Sequence, residues 1–367
     1  MYPRIRKSLE VYQRETYTDH SSLELNNARS YLDCSLGVNP YGCSPNILHS
    51  PPPPQELFTS YPAASPNFIR QIINYWQDIV QLEPGNIQLE AGSFGVIERL
   101  HKLFLDEDSY VLGYCPQFSD YQQDVLLHGA KYDYICLEAE DNYKFNAAKL
   151  RAALNDKYKL LYLDNPNNPT GQVIPLTEIE SLVSRAQDLG IAVLVDEAYG
   201  DYMAKDNSAI ALVPHYKNLY VAKSFTKGFG LAGLRVGYVV MSEELLETYA
   251  LVAHPFPVNA LGQYYASLAL QNVFFLQECR RKNSIAKERI RQACSKLQIL
   301  YTDPYTPILT LLHPQAETDL EALFLKHNVL TTSGRHFKGL GSAAVRLRLP
   351  GDELDRLLNV IREIENN

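Results

Sequence analysis

A lysine at the start of a glycine-rich stretch is the residue whose setting most suggests covalent chemistry in this chain. Lys227 lies in SFTKGFGLAGLRVGY, a few residues after the apolar run NLYVA. An amine that a loop presents after a strand can form an imine with an aldehyde cofactor. The same stretch contains GFGLAG, which fits the G-x-G-x-x-G pattern of dinucleotide-binding proteins. The two interpretations predict different ligands.

The position of the glycine-rich stretch argues against a dinucleotide site. That fingerprint belongs in the first βα turn of the fold, with an acidic residue about twenty positions later. Here it comes about two-thirds of the way along the chain, and Ala253 stands near the place of the acid. The nearest acids, Glu244 and Glu247, belong to the helical stretch EELLETYALVAH. We therefore favour imine formation at Lys227.

Two further groups of residues can bind an anion. Ser224 and Arg235 flank the lysine, and a hydroxyl and a guanidinium there can hold a phosphate, although a strand cap and a surface ion pair are the structural alternatives. Upstream, LEAGSFGVIERLHKLFL indicates a strand, a small-residue turn and a helix. The start of such a helix offers free amides to an anion, although an ordinary βα turn explains the stretch equally well. Its first residues are Gly92, Ser93 and Phe94.

Polar side chains also follow two predicted strands. Asp196 comes at the end of the apolar run IAVLV, with Tyr199 three residues later. The carboxyl ends of strands are where α/β sheets bind ligands, and an acid there can pair with a ring nitrogen. Asn168 lies in KLLYLDNPNNPTG, which by itself indicates only a strand that enters a turn.

Together, NPNNPTG, VDEAY and SFTKGFGLAGLRVGY resemble, in order and spacing, the motifs of the fold-type I pyridoxal-phosphate enzymes. Within them, the chain is similar over nearly its whole length to the class I/II aminotransferases, specifically the histidinol-phosphate aminotransferase-like branch. The resemblance implies an α/β fold with a large domain, built on a mostly parallel seven-stranded sheet flanked by helices, and a smaller α/β domain. It also implies pyridoxal 5'-phosphate as the cofactor and a homodimer with shared active sites.

The resemblance assigns roles around the cofactor. Lys227 is the imine lysine and, once substrate displaces it, the acid and base that moves a proton between Cα and C4'. Asp196 binds the pyridine nitrogen and keeps it protonated, while Asn168 and Tyr199 hydrogen-bond the phenolic oxygen. Phe118, in YCPQFSDY, matches the aromatic residue that stacks on the ring, with core packing as the alternative. The cofactor phosphate falls to residues of the two anion-binding groups: Gly92, Ser93, Phe94, Ser224 and Arg235.

The resemblance also implies residues for the substrate and for the dimer. Tyr61, in SYP, corresponds to the tyrosine that reaches across a dimer to the other subunit's cofactor phosphate. Arg346, in AAVRLRL, matches the arginine that grips the substrate α-carboxylate, and Arg348 is the alternative two residues on. The stretch SLGVNPYGCSP is similar to the family's N-terminal segment at the substrate mouth, with an ordinary turn as the alternative; its candidate residues are Asn39, Tyr41 and Gly42.

One departure from the family pattern leaves the substrate open. Histidinol-phosphate enzymes carry a second arginine for the substrate phosphate, and the matching place here is Thr332 or Ser333. Arg335 lies close by and is the candidate replacement. The leading hypothesis is an aminotransferase that moves an amino group between an amino acid or amino-phosphate and a 2-oxo acid. A decarboxylase of a phosphorylated amino acid, similar to threonine-phosphate decarboxylase, is the alternative.

Composition and charge indicate which classes of binding partner to expect. The 367 residues are 46% hydrophobic and 21% charged, with a net charge of -8 and scattered basic residues, so we expect neither nucleic acid nor membrane as a partner. The N-terminal stretch shows no apolar segment typical of a signal peptide, and we expect a cytoplasmic protein. Six cysteines lie far apart without a C-x-x-C pair, and nine histidines are dispersed. We expect free thiols, no redox dithiol and no metal site.

The elements that must position these residues follow from periodicity. Short apolar runs alternate with helix-period segments from residue 87 onward, which predicts a wound α/β sheet. Clear helices are predicted over residues 66–80 and 177–189. The four prolines at 51–54 suggest a connector. We expect three regions: an N-terminal arm that contributes to the small domain and the substrate mouth (1–54), a large cofactor-binding domain (55–258) and a small C-terminal domain (259–367).

Overall fold

A computed structural model describes residues 6–10, 12 and 31–366 of the chain. The strands within these residues are β1 (Leu32–Asp33), β2 (Ile87–Glu90), β3 (Tyr110–Cys115), β4 (Lys131–Cys136), β5 (Tyr158–Asp164), β6 (Ala192–Glu197), β7 (Leu219–Ser224), β8 (Gly237–Met241), β9 (Gln298–Ile299), β10 (Ile308–Leu312), β11 (Val329–Leu330), β12 (Thr332–Ser333) and β13 (Ala344–Arg348).

The α-helices of the same residues surround these strands. They are α1 (Lys7–Glu10), α2 (Pro45–Leu48), α3 (Glu56–Thr59), α4 (Pro66–Trp76), α5 (Gly92–Phe104), α6 (Ser119–Leu127), α7 (Ala147–Ala153), α8 (Leu176–Asp188), α9 (Leu246–Ala250), α10 (Ala260–Ala269), α11 (Phe274–Ala293), α12 (Leu320–Lys326) and α13 (Leu354–Asn366).

The large sheet has seven strands in the order β2-β8-β7-β6-β5-β3-β4. All neighbouring pairs are parallel except the two that β8 makes with β2 and β7. The predicted mostly parallel seven-stranded sheet is therefore confirmed. Because the carboxyl ends of parallel strands meet at one edge, the residues that end β5, β6 and β7 come together there.

Helices cover both faces of this sheet, which explains why its central strands are apolar throughout. In β6, Val193 and Val195 pack into the core beneath α8, and Ala192 and Leu194 pack into the core beneath α5. Successive side chains of a strand point to opposite faces, so a strand buried on both sides has no polar position to alternate with.

The two clearest helix predictions differ in accuracy. The helix predicted over residues 177–189 is α8, displaced by one residue, and Gly190 follows it at φ +70°. The helix predicted over residues 66–80 is α4, which ends at Trp76. The backbone amides of Ile79 and Val80 both donate to the carbonyl of Trp76, so the chain leaves the helix in a tight turn there.

A second core lies around the small antiparallel sheet β12-β13-β10-β9, which α11 and α13 cover. The parallel pair of β1 and β11 ties the N-terminal segment to it. Helix α10 and the start of α11, through Leu276, pack on the large core, whereas Ala286 and Ile290 pack on the small one. The chain therefore passes from the large core to the small core within α11. This helix is the second one after residue 259, where the small domain is predicted to begin.

No helix within residues 6–10, 12 and 31–366 has both the length and the apolar character to cross a membrane. All six cysteines are free thiols, but they do not all lie apart. Cys115 and Cys136 are register partners on β3 and β4, and their Sγ atoms are 2.8 Å apart. Distance along the sequence therefore does not separate these two thiols, because pairing of neighbouring strands brings together residues that are distant in sequence.

Candidate active site

A cavity of about 140 Å³ opens at the carboxyl ends of β5, β6 and β7. Each predicted cofactor residue of the large domain except Gly92 and Tyr61 lines it: Ser93, Phe94, Phe118, Asn168, Asp196, Tyr199, Ser224, Lys227 and Arg235. These residues come from five separate stretches of the chain, and the sheet brings them together.

Lys227 presents its amine inside this cavity. Its Nζ donates to the carbonyl of Gly37 at 2.5 Å and lies 5.3 Å from the ring centroid of Tyr199. A Cβ atom on Gly37 would stand 2.3 Å from Tyr199 Oη and 3.2 Å from Lys227 Nζ, so this place requires a glycine. The sequence interpretation did not select Gly37, although the residue lies in SLGVNPYG.

Asp196 forms the floor of the cavity. Its Oδ1 accepts from the backbone amide of Ala198 at 3.0 Å, and its Oδ2 accepts from Tyr162 Oη at 3.3 Å. Burial raises the pKa of Asp196 to about 7, against the opposing effect of hydrogen bonds from Ala198, Ser93 and Tyr162. A cation bound beside this carboxylate would favour its ionised form, which is the match that a protonated pyridine nitrogen requires.

Tyr162 is a second site residue that the sequence interpretation did not select. It lies within β5, and its ring stacks on that of Tyr121 with centroids 3.4 Å apart and an interplanar angle of 6°. The stacked ring fixes the direction in which Tyr162 Oη reaches Asp196. The period-2 pattern of KLLYLDN places this tyrosine on one face of the strand, but no motif distinguishes it from core tyrosines.

Asn168 connects the cofactor cavity to the small domain. Its backbone amide donates to Asp164 Oδ2 at 2.9 Å, and its side-chain Oδ1 accepts from Arg346 Nη1 at 3.0 Å. Arg346 is buried and also donates through Nη2 to Thr332 Oγ1 at 2.9 Å and to the carbonyl of Ser35.

The other candidate arginine of β13 points elsewhere. Arg348 donates to the carbonyls of Leu349 and Asp33. Successive side chains of a strand point to opposite faces, so the two arginines, two residues apart, lie on the same face. They differ in the groups to which they donate. Arg346 is therefore the one that bonds a residue of the cavity wall, Asn168.

The opposite end of the cavity is suited to a phosphate. Ser224 Oγ donates to Thr226 Oγ1 at 2.8 Å, and Arg235 Nη1 donates to the same Thr226 oxygen at 3.4 Å. A Cβ atom on Gly92, whose φ is +78°, would stand 3.0 Å from Arg235 Nη2. The α5 N-terminus at Ser93 adds its free amides. The missing side chain of Gly92 thus leaves room for an anion beside two hydroxyls and a guanidinium.

Phe118 lies on the wall between these two ends. It caps the N-terminus of α6 and makes an edge contact with Phe94 at 6.4 Å between ring centroids. The preceding residue, Gln117, donates through Nε2 to Asp164 Oδ1 at 3.1 Å. That hydrogen bond attaches the aromatic segment to the end of β5.

The donor set of the cavity fits pyridoxal 5'-phosphate. A positively charged cradle lies at one end and a carboxylate at the other, with an amine between them, which matches the phosphate, the ring nitrogen and the aldehyde of that cofactor. Glycines at positions 37 and 92 let the amine of Lys227 and the guanidinium of Arg235 take their places in this set.

The predicted substrate-mouth residues have mixed placements. Asn39 donates to the carbonyl of Gly228 at 2.7 Å, directly beside Lys227. Tyr41 packs under the ammonium of Lys282, 4.8 Å from its ring centroid, and burial raises the pKa of Tyr41. Gly42 adopts φ +76°, which fits the alternative of an ordinary turn.

Tyr61 and Arg335 are further predicted residues that do not line the cavity. Tyr61 is 83% exposed, and its ring stacks on Phe256 with centroids 4.9 Å apart. Arg335 pairs with Asp319, with 3.0 Å between Nη1 and Oδ2, on the small domain. Within a single chain, therefore, neither residue reaches the place where the cofactor would bind.

Two of the dispersed histidines also meet in the fold. His101 Nδ1 and Asp124 Oδ2 are 2.5 Å apart, and His128 Nε2 lies 4.0 Å from the same oxygen. The contact between His101 and Asp124 is a direct hydrogen bond to Nδ1 of a buried imidazole. This cluster lies outside the cavity, and we assign it no metal.

Comparison with known proteins identifies relatives along almost the whole chain. The profile of the family described as aminotransferase class I and II matches residues 36–362. Histidinol-phosphate aminotransferase of Methanocaldococcus jannaschii is 27% identical over 89% of this chain and 87% of its own. The enzyme of that name from Haloquadratum walsbyi is 30% identical over 80% of this chain and 76% of its own.

Solved structures show the same fold. Histidinol-phosphate aminotransferase from Sinorhizobium meliloti, in complex with pyridoxal-5'-phosphate, superposes with a TM-score of 0.83 at 20% identity, covering 100% of this chain and 98% of its own. Aspartate aminotransferase from Thermus thermophilus with maleate gives a TM-score of 0.83 at 17% identity, covering 99% of this chain and 100% of its own.

Proposed function

The chain belongs to the class I and II aminotransferases and uses pyridoxal 5'-phosphate, and from this premise we propose that it transfers the amino group of an α-amino acid or amino-phosphate to a 2-oxo acid. One observation carries the proposal: the amine of Lys227 and the carboxyl of Asp196 line one cavity, and the guanidinium of Arg346 donates to Asn168 in the wall of that cavity. Bound cofactor supplies an aldehyde that reacts with amines and a ring that accepts electrons from the substrate Cα.

The residues of the cavity divide the work by position. Lys227 would hold the cofactor through its aldehyde, and its free amine would carry a proton to and from the substrate Cα. Asp196 would face the ring nitrogen and favour its protonated form. Ser224, Thr226, Arg235 and the amides at the start of α5 would bind the phosphate.

Arg346 selects an anionic group on the substrate. A guanidinium binds a carboxylate through two parallel hydrogen bonds, and the contacts of Arg346 with Thr332 and Ser35 hold it in one orientation. Thr332 or Ser333 stands where the resemblance places the second arginine of histidinol-phosphate enzymes. A carboxylate needs one guanidinium, whereas a dianionic phosphate is better matched by two, so this site favours an α-amino acid as the donor.

The names of the relatives favour histidinol phosphate instead, so both donors belong in the test. Purified enzyme is mixed with each of a panel of α-amino acids and with histidinol phosphate, together with 2-oxoglutarate. Two signals are followed: the formation of glutamate and the loss of the absorbance band of the cofactor's aldehyde form. Release of carbon dioxide without amino transfer would contradict the proposal and would favour the decarboxylase alternative.

The proposal includes a homodimer with shared sites. Tyr61 lies on the surface and does not line its own cavity, as expected for a residue that serves another subunit. In such a dimer, Tyr61 would complete the phosphate cradle of Ser224 and Arg235 in the opposite subunit.

A further inference from the structure

Two thiols lie in contact at the edge of the large sheet, outside the cavity. Cys115 ends β3 and Cys136 ends β4, the edge strand, and their Sγ atoms are 2.8 Å apart. Their backbones are direct register partners, and the carbonyl of Cys115 accepts from the amide of Leu137 at 2.7 Å. The pairing of β3 with β4 thus fixes the contact between the two thiols.

This geometry is suited to a covalent bond between the sulfur atoms. Neighbouring strands lie about 4.8 Å apart, which falls within the Cα separation of about 4.4–6.8 Å that disulfides span. Closing the Sγ atoms from 2.8 Å to the bonded distance of about 2.0 Å requires only side-chain rotation and a small shift. No strand has to move out of register.

The two thiols differ in access and in environment. Cys136 is exposed, whereas Cys115 is buried and its pKa is raised by that burial. The ammonium of Lys338 opposes this rise in the pKa of Cys115 but does not cancel it. An oxidant from solvent therefore reaches the exposed Cys136 thiol first, and the buried Cys115 thiol is in contact with it.

We propose that Cys115 and Cys136 are a redox modification site that closes to an intramolecular disulfide on exposure to a peroxide. In the first step, the Cys136 thiol and hydrogen peroxide give a sulfenic acid and water. In the second, the Cys115 sulfur attacks the Cys136 sulfur, the sulfur–sulfur bond forms and a second water leaves. The peroxide is reduced and the two thiols are oxidised, and a dithiol reductant reverses the reaction.

The bond would fasten two parts of the molecule at the edge of the cofactor domain. It joins the edge strand β4 to the end of β3, from which the chain continues directly to Gln117 and Phe118. Cys115 also lies close to a loop of the small domain. A Cβ atom on Gly339, in that loop, would stand 3.1 Å from Cys115 Sγ. We expect the oxidised protein to unfold at a higher temperature than the reduced one.

The test uses the reduced holoenzyme and measures thiols rather than turnover, so it does not depend on the substrate. A few equivalents of hydrogen peroxide should lower the thiols titrated after unfolding in denaturant from six to four. Non-reducing peptide mapping should find one peptide pair that joins Cys115 to Cys136, and dithiothreitol should restore all the thiols.

Two variants make the result specific. Cys136→Ser removes the exposed thiol and should abolish the linked peptide and the rise in Tm. Cys294→Ser changes a half-buried cysteine elsewhere and should leave both unchanged. The proposal is overturned if Cys136 proceeds to a sulfinic acid while Cys115 stays reduced, if the link joins two chains or other cysteines, or if neither thiol reacts.

Discussion

At the scale of single residues, the absence of a side chain at position 37 is as important to the site as the lysine itself. A Cβ atom there would overlap Tyr199 Oη at 2.3 Å and crowd Lys227 Nζ at 3.2 Å. We expect Gly37→Ala to displace the amine or the phenol and to lower kcat about 100-fold, since small displacements of reacting groups have effects of this size. Steady-state assays with a saturating donor measure it.

A matched glycine separates this effect from a general loss of backbone freedom. A Cβ atom on Gly341 would meet no heavy atom within 4 Å, so Gly341→Ala should retain nearly full activity. Equal losses in both variants would contradict the argument. Borohydride reduction followed by peptide mapping should still locate the cofactor on Lys227 in each.

Tyr162 gives a second prediction at this scale, through its hydrogen bond to Asp196 at 3.3 Å. That bond lowers the pKa of Asp196, so Tyr162→Phe should raise it further above its ordinary value. Activity requires the ionised carboxylate, and the acidic limb of the kcat–pH profile should therefore move to higher pH. Bound cofactor lowers the pKa in both proteins, which leaves the sign of the difference unchanged.

Tyr121→Phe is the control for this change. Its ring stacks on Tyr162, but among the described residues its buried hydroxyl has no hydrogen-bond partner. Removing that hydroxyl should leave the pH profile where it is. A profile that moves equally in Tyr121→Phe, or that does not move in Tyr162→Phe, would show that Tyr162 does not tune Asp196.

At the scale of elements, the sequence pattern predicts the buried strands of the large sheet but not its edge strand β4. The runs SYVLGY, KLLYLDN and NLYVAKS are apolar because β3, β5 and β7 are covered on both faces, and each lies within a residue or two of its predicted place. Strand β4, KYDYIC, is half exposed along its length and carries Lys131 and Asp133, so it gave no apolar run. With β4 unrecognised, the contact between Cys115 and Cys136 was out of reach.

The candidate site shows the same division. Residues within motifs of fixed spacing, such as Asp196, Ser224 and Lys227, were selected from the sequence and lie together. Gly37 and Tyr162 were missed because their importance arises from contacts across elements, which spacing along one chain does not express. The second arginine is a different case: the sequence registered its absence, and the structure shows Thr332 bonded to Arg346 instead.

Helix α11 carries a buried lysine that connects elements and gives a stability prediction. Lys287 Nζ donates to Thr302 Oγ1, the carbonyl of Asp303 and Thr306 Oγ1 at 2.6 to 2.8 Å. Thr306 Oγ1 in turn donates to the carbonyl of Gly171, in the turn that follows Asn168. The lysine thus supports the loop on which this turn rests.

Burial lowers the pKa of Lys287 to about 7, with Asp303 opposing the shift and Arg291 adding to it. Between about pH 7 and 10 the unfolded chain binds this proton and the native one does not, so the free energy of unfolding should gain about 1.4 kcal/mol per pH unit from this group. Lys287→Met should remove that contribution, as denaturant titrations across this pH range would show. The exposed Lys282→Met, on the same helix, should keep the wild-type slope.

At the scale of the whole molecule, exposed apolar side chains collect around the N-terminal helices. Leu48 and Phe58 lie on α2 and α3, which both pack against α10, and Tyr61 stacks on the exposed Phe256 nearby. An apolar surface of this kind usually marks an interface. The homodimer we propose would bury it, and light scattering should then give about twice the chain mass of 41.6 kDa.

Mixed dimers test whether Tyr61 serves the opposite subunit. Lys227→Ala homodimers lack the amine in both sites, and Tyr61→Ala homodimers lack the tyrosine in both. In a hybrid, the subunit that keeps Lys227 receives Tyr61 from the other, so one site of two is complete. Random exchange makes about half of the dimers hybrids, and we expect recovery of about one quarter of wild-type activity at limiting cofactor.

A second pair of variants distinguishes this exchange from any general effect of mixing. Asp196 and Lys227 line the same cavity of one chain, so hybrids of Asp196→Asn with Lys227→Ala contain no complete site and should stay inactive. If Tyr61→Ala and Lys227→Ala also fail to restore one another after confirmed subunit exchange, Tyr61 acts within its own chain or not at all. Recovery in the first pair alone requires that the tyrosine cross the interface, because no other arrangement reunites it with an intact Lys227.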